Sequence, residues 1–160
     1  MEQLLQIEKI DVYSPNGNGP INYWVQEIIE GRMPELDKEI HFWVHVRDVE
    51  RAVETLQTNN ITGVFSLSGR RAWNQQMVLD EIVRLWLRFQ NAVHGTHTAE
   101  SLSDIPSPAA FQVEEEHIRP NLAPIHEALV NCGTDGWRPL IAMRVGLMEC
   151  IAAALEKSSK

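Results

Sequence analysis

Hydrophobic and polar positions alternate strictly over residues 41–48. Phe42, Val44 and Val46 fall on one side, and His41, Trp43, His45 and Arg47 on the other. Period-two alternation rich in β-branched and aromatic residues predicts a short half-buried strand. Asp48 is placed to end that strand and cap a helix, its carboxylate accepting from the free N–H groups of the first turn. The period then becomes helical, and Val49, Ala52, Val53 and Leu56 predict a helix over 49–57. Asn59, Asn60 and Gly63 turn the chain, and 64–68 is a second apolar strand.

The flanking segments extend this pattern. Residues 4–13 read as a strand that buries Leu5, Ile7, Ile10 and Val12. The helix-spaced residues Ile21, Trp24, Val25, Ile28 and Ile29 predict a helix over 21–32, which implies a parallel pairing of the strands on either side of it. Residues 14–20 between them are rich in Gly, Asn and Pro and form a loop. The longest helical pattern is 74–92, with Asn74 as N-cap and Val78, Ile82, Trp86, Phe89 and Val93 on one stripe. Leu79, Val83, Leu85 and Leu87 widen that stripe to almost the whole circumference, so more than one side is expected to be covered. A loop over 94–108, a short strand at 109–113, a helix over 124–130, a loop at 131–139 and a closing helix over 143–155 complete the chain. The last helix turns Met143, Leu147, Cys150, Ile151 and Ala154 inward.

Composition narrows the class. A chain of 160 residues with 44% apolar and 22% charged positions reads as a single globular domain over 1–160. Its net charge of −8 opposes binding to nucleic acid or an anionic membrane. No apolar run is long enough to span a bilayer, and a basic region followed by an apolar one is missing at the N-terminus. The expected compartment is the cytoplasm, with Cys132 and Cys150 as free thiols.

Five short motifs, taken in order, resemble the C-terminal half of the extended short-chain dehydrogenases, the nucleotide-sugar epimerases and dehydratases. Tyr13-Ser-Pro-Asn-Gly-Asn18 is similar to the loop after that family's sixth strand, with Ser14 where Gly is usual. Trp43-Val-His-Val-Arg-Asp48 resembles its aromatic-Val-His-Val-x-Asp segment. Gly63-Val-Phe-Ser-Leu-Ser-Gly69 resembles the strand that follows, with Ser66 where Asn is common. Ile118-Arg-Pro120 and then Gly136-Trp-Arg-Pro139, followed by Gly146-Leu147, resemble the closing pattern. The family's other half has no counterpart here. None of the nine glycines is arranged Gly-x-Gly-x-x-Gly, the turn that sets a pyrophosphate on a helix N-terminus. Nor is there a Tyr-x-x-x-Lys pair, because Gly17 and Glu27 stand four residues after Tyr13 and Tyr23.

The resemblance implies a ligand and no chemistry. An Arg near position 119 grips the nucleotide diphosphate in such enzymes, which suits a planar fork of donors, so Arg119 is the leading candidate. A second phosphate-binding Arg usually precedes the central aromatic residue; His41 or Phe42 occupies that place. Asn16, Gly17 and Asn18 are candidates to present backbone N–H groups, against an ordinary turn. His45 reads as a structural histidine with a functional role as the alternative, and Asp48 as a cap. His94 and His97 are spaced as metal ligands sometimes are, but without a clear third ligand nearby. Arg70 and Arg71 suit an acidic partner or a solvated helix start. The tryptophans are mostly core, with one or two marking an interface.

The expected architecture is therefore α/β or α+β, with a small sheet of three or four short strands and four or five helices. The expected function is a non-catalytic binding or assembly module, without a cofactor of its own. It would be a homodimer, or the partner of a separate dinucleotide-binding chain with which it completes a split epimerase or dehydratase.

Overall fold

Asp11 divides the first strand in two. The structure, a computed structural model describing residues 4–101 and 113–158, holds this residue at a φ of 53°. Strand β1 (Leu5–Lys9) precedes it and β2 (Val12–Tyr13) follows. The left-handed backbone is one that Asp tolerates better than most residues. Here the side chain also holds it in place, because Asp11 Oδ2 accepts from the Phe42 N–H at 2.7 Å and Oδ1 from the His41 ring at 2.7 Å.

The chain continues through α1 (Pro20–Ile29), β3 (Val44–His45), α2 (Val46–Thr58), β4 (Gly63–Leu67), α3 (Gln75–His94), α4 (Ala123–Asn131) and α5 (Met143–Ser158). Among the described residues the strands form two parallel pairs, not one sheet. β1 pairs with β4 from Leu5 opposite Gly63 to Lys9 opposite Leu67. β2 pairs with β3, Tyr13 opposite His45, which is the parallel pairing expected across α1. Most of the expected 109–113 strand lies outside the described residues.

The central strand is much shorter than its alternation suggests. His45 caps the next helix itself: its ring Nδ1 accepts from the Arg47 N–H at 3.1 Å, so α2 begins at Val46. Asp48 is thus inside the helix and is not its cap. The polar side of the alternation is also not a solvent face, since Trp43 and His45 are buried along with Phe42 and Val44. Covering elements on both sides override the period-two signal.

The other helices follow their sequence signals closely. Pro20 fits the first turn of α1, where an N–H is not needed. Asn74 caps α3 by accepting from the Met77 N–H at 2.8 Å, and Gly95 ends that helix at a φ of 64°.

Two cores result. The first packs α1, α3 and α5 together through Val25, Ile28, Val78, Ile82, Leu147 and Ile151, with Trp24, Trp43 and Trp73 among them. The second packs α2 and α4 on one face of the β1–β4 pair through Val49, Leu56, Leu67, Ile125, Leu129 and Trp137. Among the described residues no helix is long and apolar enough to cross a membrane.

Candidate functional site

The segment after Trp137 is irregular, so its backbone donors need partners from elsewhere. Asp48, 1% exposed, supplies them: Oδ1 accepts from the Leu140 N–H at 2.9 Å and Oδ2 from the Ile141 N–H at 3.1 Å. Arg51, one helical turn on, donates to the same carboxylate at 3.0 Å and balances its charge. Trp137 ties the segment to the end of β4, its indole donating to the Ser68 carbonyl at 2.8 Å.

Gly69 starts the facing wall. Its N–H donates to the Phe42 carbonyl at 2.7 Å, and a Cβ there would stand 2.2 Å from the Trp43 carbonyl oxygen. Only glycine lets the two backbones approach so closely.

Between these walls lies an open cleft of about 580 Å³, a volume in the range of small-molecule sites. Arg70 and Arg71 line it from the β4–α3 connection, Arg138 from the segment that leads into α5, and Arg144 from the first turn of that helix. Arg144 is anchored from below. Glu81, also 1% exposed, accepts from Arg144 and, at 3.2 Å, from Arg84. Tyr13 and Trp43 also line the cleft, and their Oη and Nε1 are the buried side-chain polar atoms left unpaired among the described residues.

His45 sits under the cleft with both ring nitrogens engaged. Nδ1 accepts in the helix cap, so the proton is on Nε2, which donates to Glu149 at 3.0 Å. Burial and the nearby Arg47 charge hold its pKa below the ordinary value, although Glu149 acts in the opposite direction. The neutral ring thereby links the start of α2 to α5.

His41 behaves differently. Its hydrogen bond to Asp11 raises its pKa against the effect of burial. Burial alone would raise the Asp11 carboxyl, but the bonds from His41 and Phe42 outweigh it and the pKa is lowered. The Cys150 thiol is pushed up to about 12 by burial and by Glu149, so it is no nucleophile at neutral pH. Tyr13 is raised as well, through burial and then through Cys150, Glu149 and Asp48, and stays protonated.

The sequence-predicted ligand residues do not all meet. Arg119 stands beside the cleft, donating to the Arg70 carbonyl at 2.6 Å and lying 5.6 Å over the Phe42 ring. His41 is on the same side, stacked on Trp43 at 4.6 Å. Asn16 instead lines a second depression with His45, Arg47 and Glu149.

Asn18 is exposed in the same loop as Asn16. The Gly17 N–H is spent on a turn, donating to the Ser14 carbonyl at 3.1 Å. Asn22 fastens this loop from α1 by donating to Ser14 and Pro15 and accepting from Gly19. His94 ends α3, and His97 pairs with Ser101; no group able to hold a metal occurs among the described residues.

The sequence gives no site role to Glu81, Arg138 or Arg144. Glu81 carries a signal as a charge on the buried stripe of Val78, Ile82 and Leu85, and Arg138 stands in the Gly136-Trp-Arg-Pro139 motif without a ligand role.

The fold that carries this cleft is shared with nucleotide-sugar epimerases and dehydratases. Three solved structures illustrate the likeness. The dTDP-glucose 4,6-dehydratase of Bacillus anthracis, in complex with NAD, matches with a TM-score of 0.66 at 15% identity, over 96% of this chain and 44% of its own. The UDP-glucose 4-epimerase of Thermus thermophilus, also with NAD, matches with a TM-score of 0.61 at 15% identity, over 96% and 47%. That of Thermotoga maritima, with UDP-glucose, gives 0.57 at 16% identity, over 96% and 46%. At such identities the likeness is one of fold, and the chain spans less than half the length of each. No protein-family profile matches the sequence, and neither does any curated protein.

Proposed function

We propose that the chain is a binding or assembly module, the counterpart of the substrate-binding part of a nucleotide-sugar epimerase or dehydratase, without chemistry of its own. The observation that carries this reading is the match over nearly the whole chain to less than half of such enzymes. The sequence supports it, since it contains neither the glycine-rich dinucleotide turn nor a Tyr-x-x-x-Lys pair. The ligand of this reading is a nucleoside diphosphate or its sugar, contacted by Arg119 and His41, with the Asn16–Asn18 loop beyond. Arg119→Ala is then expected to weaken UDP binding by about 1.5–3 kcal/mol, the range for hydrogen bonds to a charged group. Calorimetric titration checks this; unchanged affinity would remove Arg119 from the site.

A second reading is favoured by the β1–β4 pair. Parallel strands are normally covered on both faces. Here α2 and α4 cover one face, while on the other Val64 is 68% exposed and the Ser66 hydroxyl donates to the neighbouring Glu8 carboxylate. A dinucleotide-binding chain docked on that open face would cover it and complete a split epimerase or dehydratase.

Self-association is the simpler way to cover apolar surface. α3 leaves Val83, Leu87, Phe89 and Val93 exposed, with Trp86 stacked on Phe89. Light scattering is expected to give twice the 18.2 kDa of one chain, falling to one chain in Leu87→Glu. A monomer at tens of micromolar would exclude the homodimer and leave the partner chain.

A further inference from the structure

We propose that the step from Asn18 to Gly19 is a site of spontaneous modification, where Asn18 converts through a succinimide to aspartate and isoaspartate and Asn22 restrains the reaction. The loop Ser14-Pro-Asn-Gly-Asn-Gly-Pro20 holds the chain's two Asn–Gly steps in succession. Glycine after asparagine favours this chemistry, because a following residue without a Cβ leaves its backbone nitrogen mobile and open to approach. Asn16 and Asn18 are both exposed, and neither side chain is held by a hydrogen bond among the described residues.

Water is the one co-reactant. The Gly19 nitrogen gives up its proton to solvent and attacks the Asn18 side-chain carbonyl carbon. The new C–N bond closes a cyclic imide, the bond to the side-chain nitrogen breaks, and that nitrogen leaves as ammonia with a proton from solvent. Water then opens the imide at either carbonyl, giving aspartate or its β-linked isomer.

The two steps differ in how they are held. Gly17 lies in a packed turn: its N–H donates to the Ser14 carbonyl at 3.1 Å, and a Cβ there would stand 3.3 Å from that oxygen and from Asn22 Oδ1. Gly19 is exposed, and the nearest atom to a Cβ there is Asn22 Oδ1 at 3.8 Å. Its N–H is held by that side-chain oxygen at 3.1 Å, in an exposed bond for which water competes. The same Asn22 donates to the Ser14 and Pro15 carbonyls at 2.8 and 3.3 Å. One side chain on α1 thus occupies the attacking N–H and fixes the loop before it. Asn18 is the residue to react first.

The two products act oppositely on α1. Its first turn carries no acidic residue, so an aspartate just before the N-cap Gly19 complements the helix dipole. The isoaspartate link lengthens the main chain between residues 18 and 19 by one carbon. That takes the Gly19 N–H out of register with Asn22 and undoes the capping box.

The test is a timed incubation of the purified chain in mildly alkaline buffer, with a synthetic peptide of the same loop alongside. Peptide mapping by mass spectrometry assigns the converted residue, and chromatography separates the two isomers. Conversion is expected at Asn18 ahead of Asn16, with both isomers formed and ammonia released in equal amount. Gly19→Ala should slow it several-fold; a φ of −82° and open space accept the new side chain. Asn22→Ala, shown to be folded by circular dichroism, should speed it several-fold. An intact Asn18 over a time that converts the peptide would overturn the proposal. So would conversion of Asn16 at an equal rate, an unchanged rate in Gly19→Ala, or no acceleration in folded Asn22→Ala. UDP plays no part in this readout, so its outcome is independent of the nucleotide-sugar reading.

Discussion

Asp48→Ala is expected to destabilise the chain by about 2–4 kcal/mol, a large part of the roughly 5–15 kcal/mol that holds a domain of this kind together. The carboxylate is buried and bonded to three donors: the N–H groups of Leu140 and Ile141 and the Arg51 guanidinium. Removing it leaves two backbone donors unpaired and a cationic side chain without its counter-charge. Leu140 is 71% exposed, so water reaches part of the freed backbone and limits the loss. Asp48→Asn keeps one acceptor oxygen and should cost about half as much. Denaturant unfolding of the three proteins measures the series. The cleft wall at Arg138–Ala142 should loosen before the chain unfolds, seen as faster amide exchange at Leu140 and Ile141.

Glu81→Ala is the second large effect. Breaking a buried ion pair costs about 3–5 kcal/mol because the remaining charge loses its partner in a low-dielectric site. Arg84 and Arg144 are 29% and 30% exposed at their side chains, so both regain water, and about 3 kcal/mol is the expected loss. Replacing the carboxylate by Gln preserves volume and should recover part of it. Thermal or denaturant unfolding reads this difference, and wild-type stability in Glu81→Ala would show that the contact with Arg144 is not held in solution.

Both predictions concern residues whose role the sequence conceals. Asp48 looks like a cap because Asp after a strand and before a helical pattern is the usual cap signal. Besides Arg51, its partners are two backbone groups 92 and 93 residues later, and no local pattern reports those. His45 took the cap because its ring nitrogen reaches the Arg47 N–H, an uncommon use of histidine.

Periodicity made the helices legible, since each packs one stripe into a core and ends on its own local signals. It misjudged the central strand, because both of its faces are covered and alternation then carries no direction. Asp11 was equally hidden: the apolar run of 4–13 is real, but one left-handed residue splits it. The motif order led to the fold, and the likeness to solved epimerases and dehydratases agrees with it. The cleft was legible only in part. Arg70 and Arg71 stood out as a basic pair, whereas Arg138 and Arg144 join them through tertiary packing alone.

Under the proposed function the chain takes up a nucleoside diphosphate and not a dinucleotide. The most direct test is a calorimetric titration of the purified chain with NAD(H), NADP(H) and UDP under one set of conditions. Saturable heat is expected with UDP and none with either dinucleotide. A low-micromolar dissociation constant for NAD(H) or NADP(H) would contradict it.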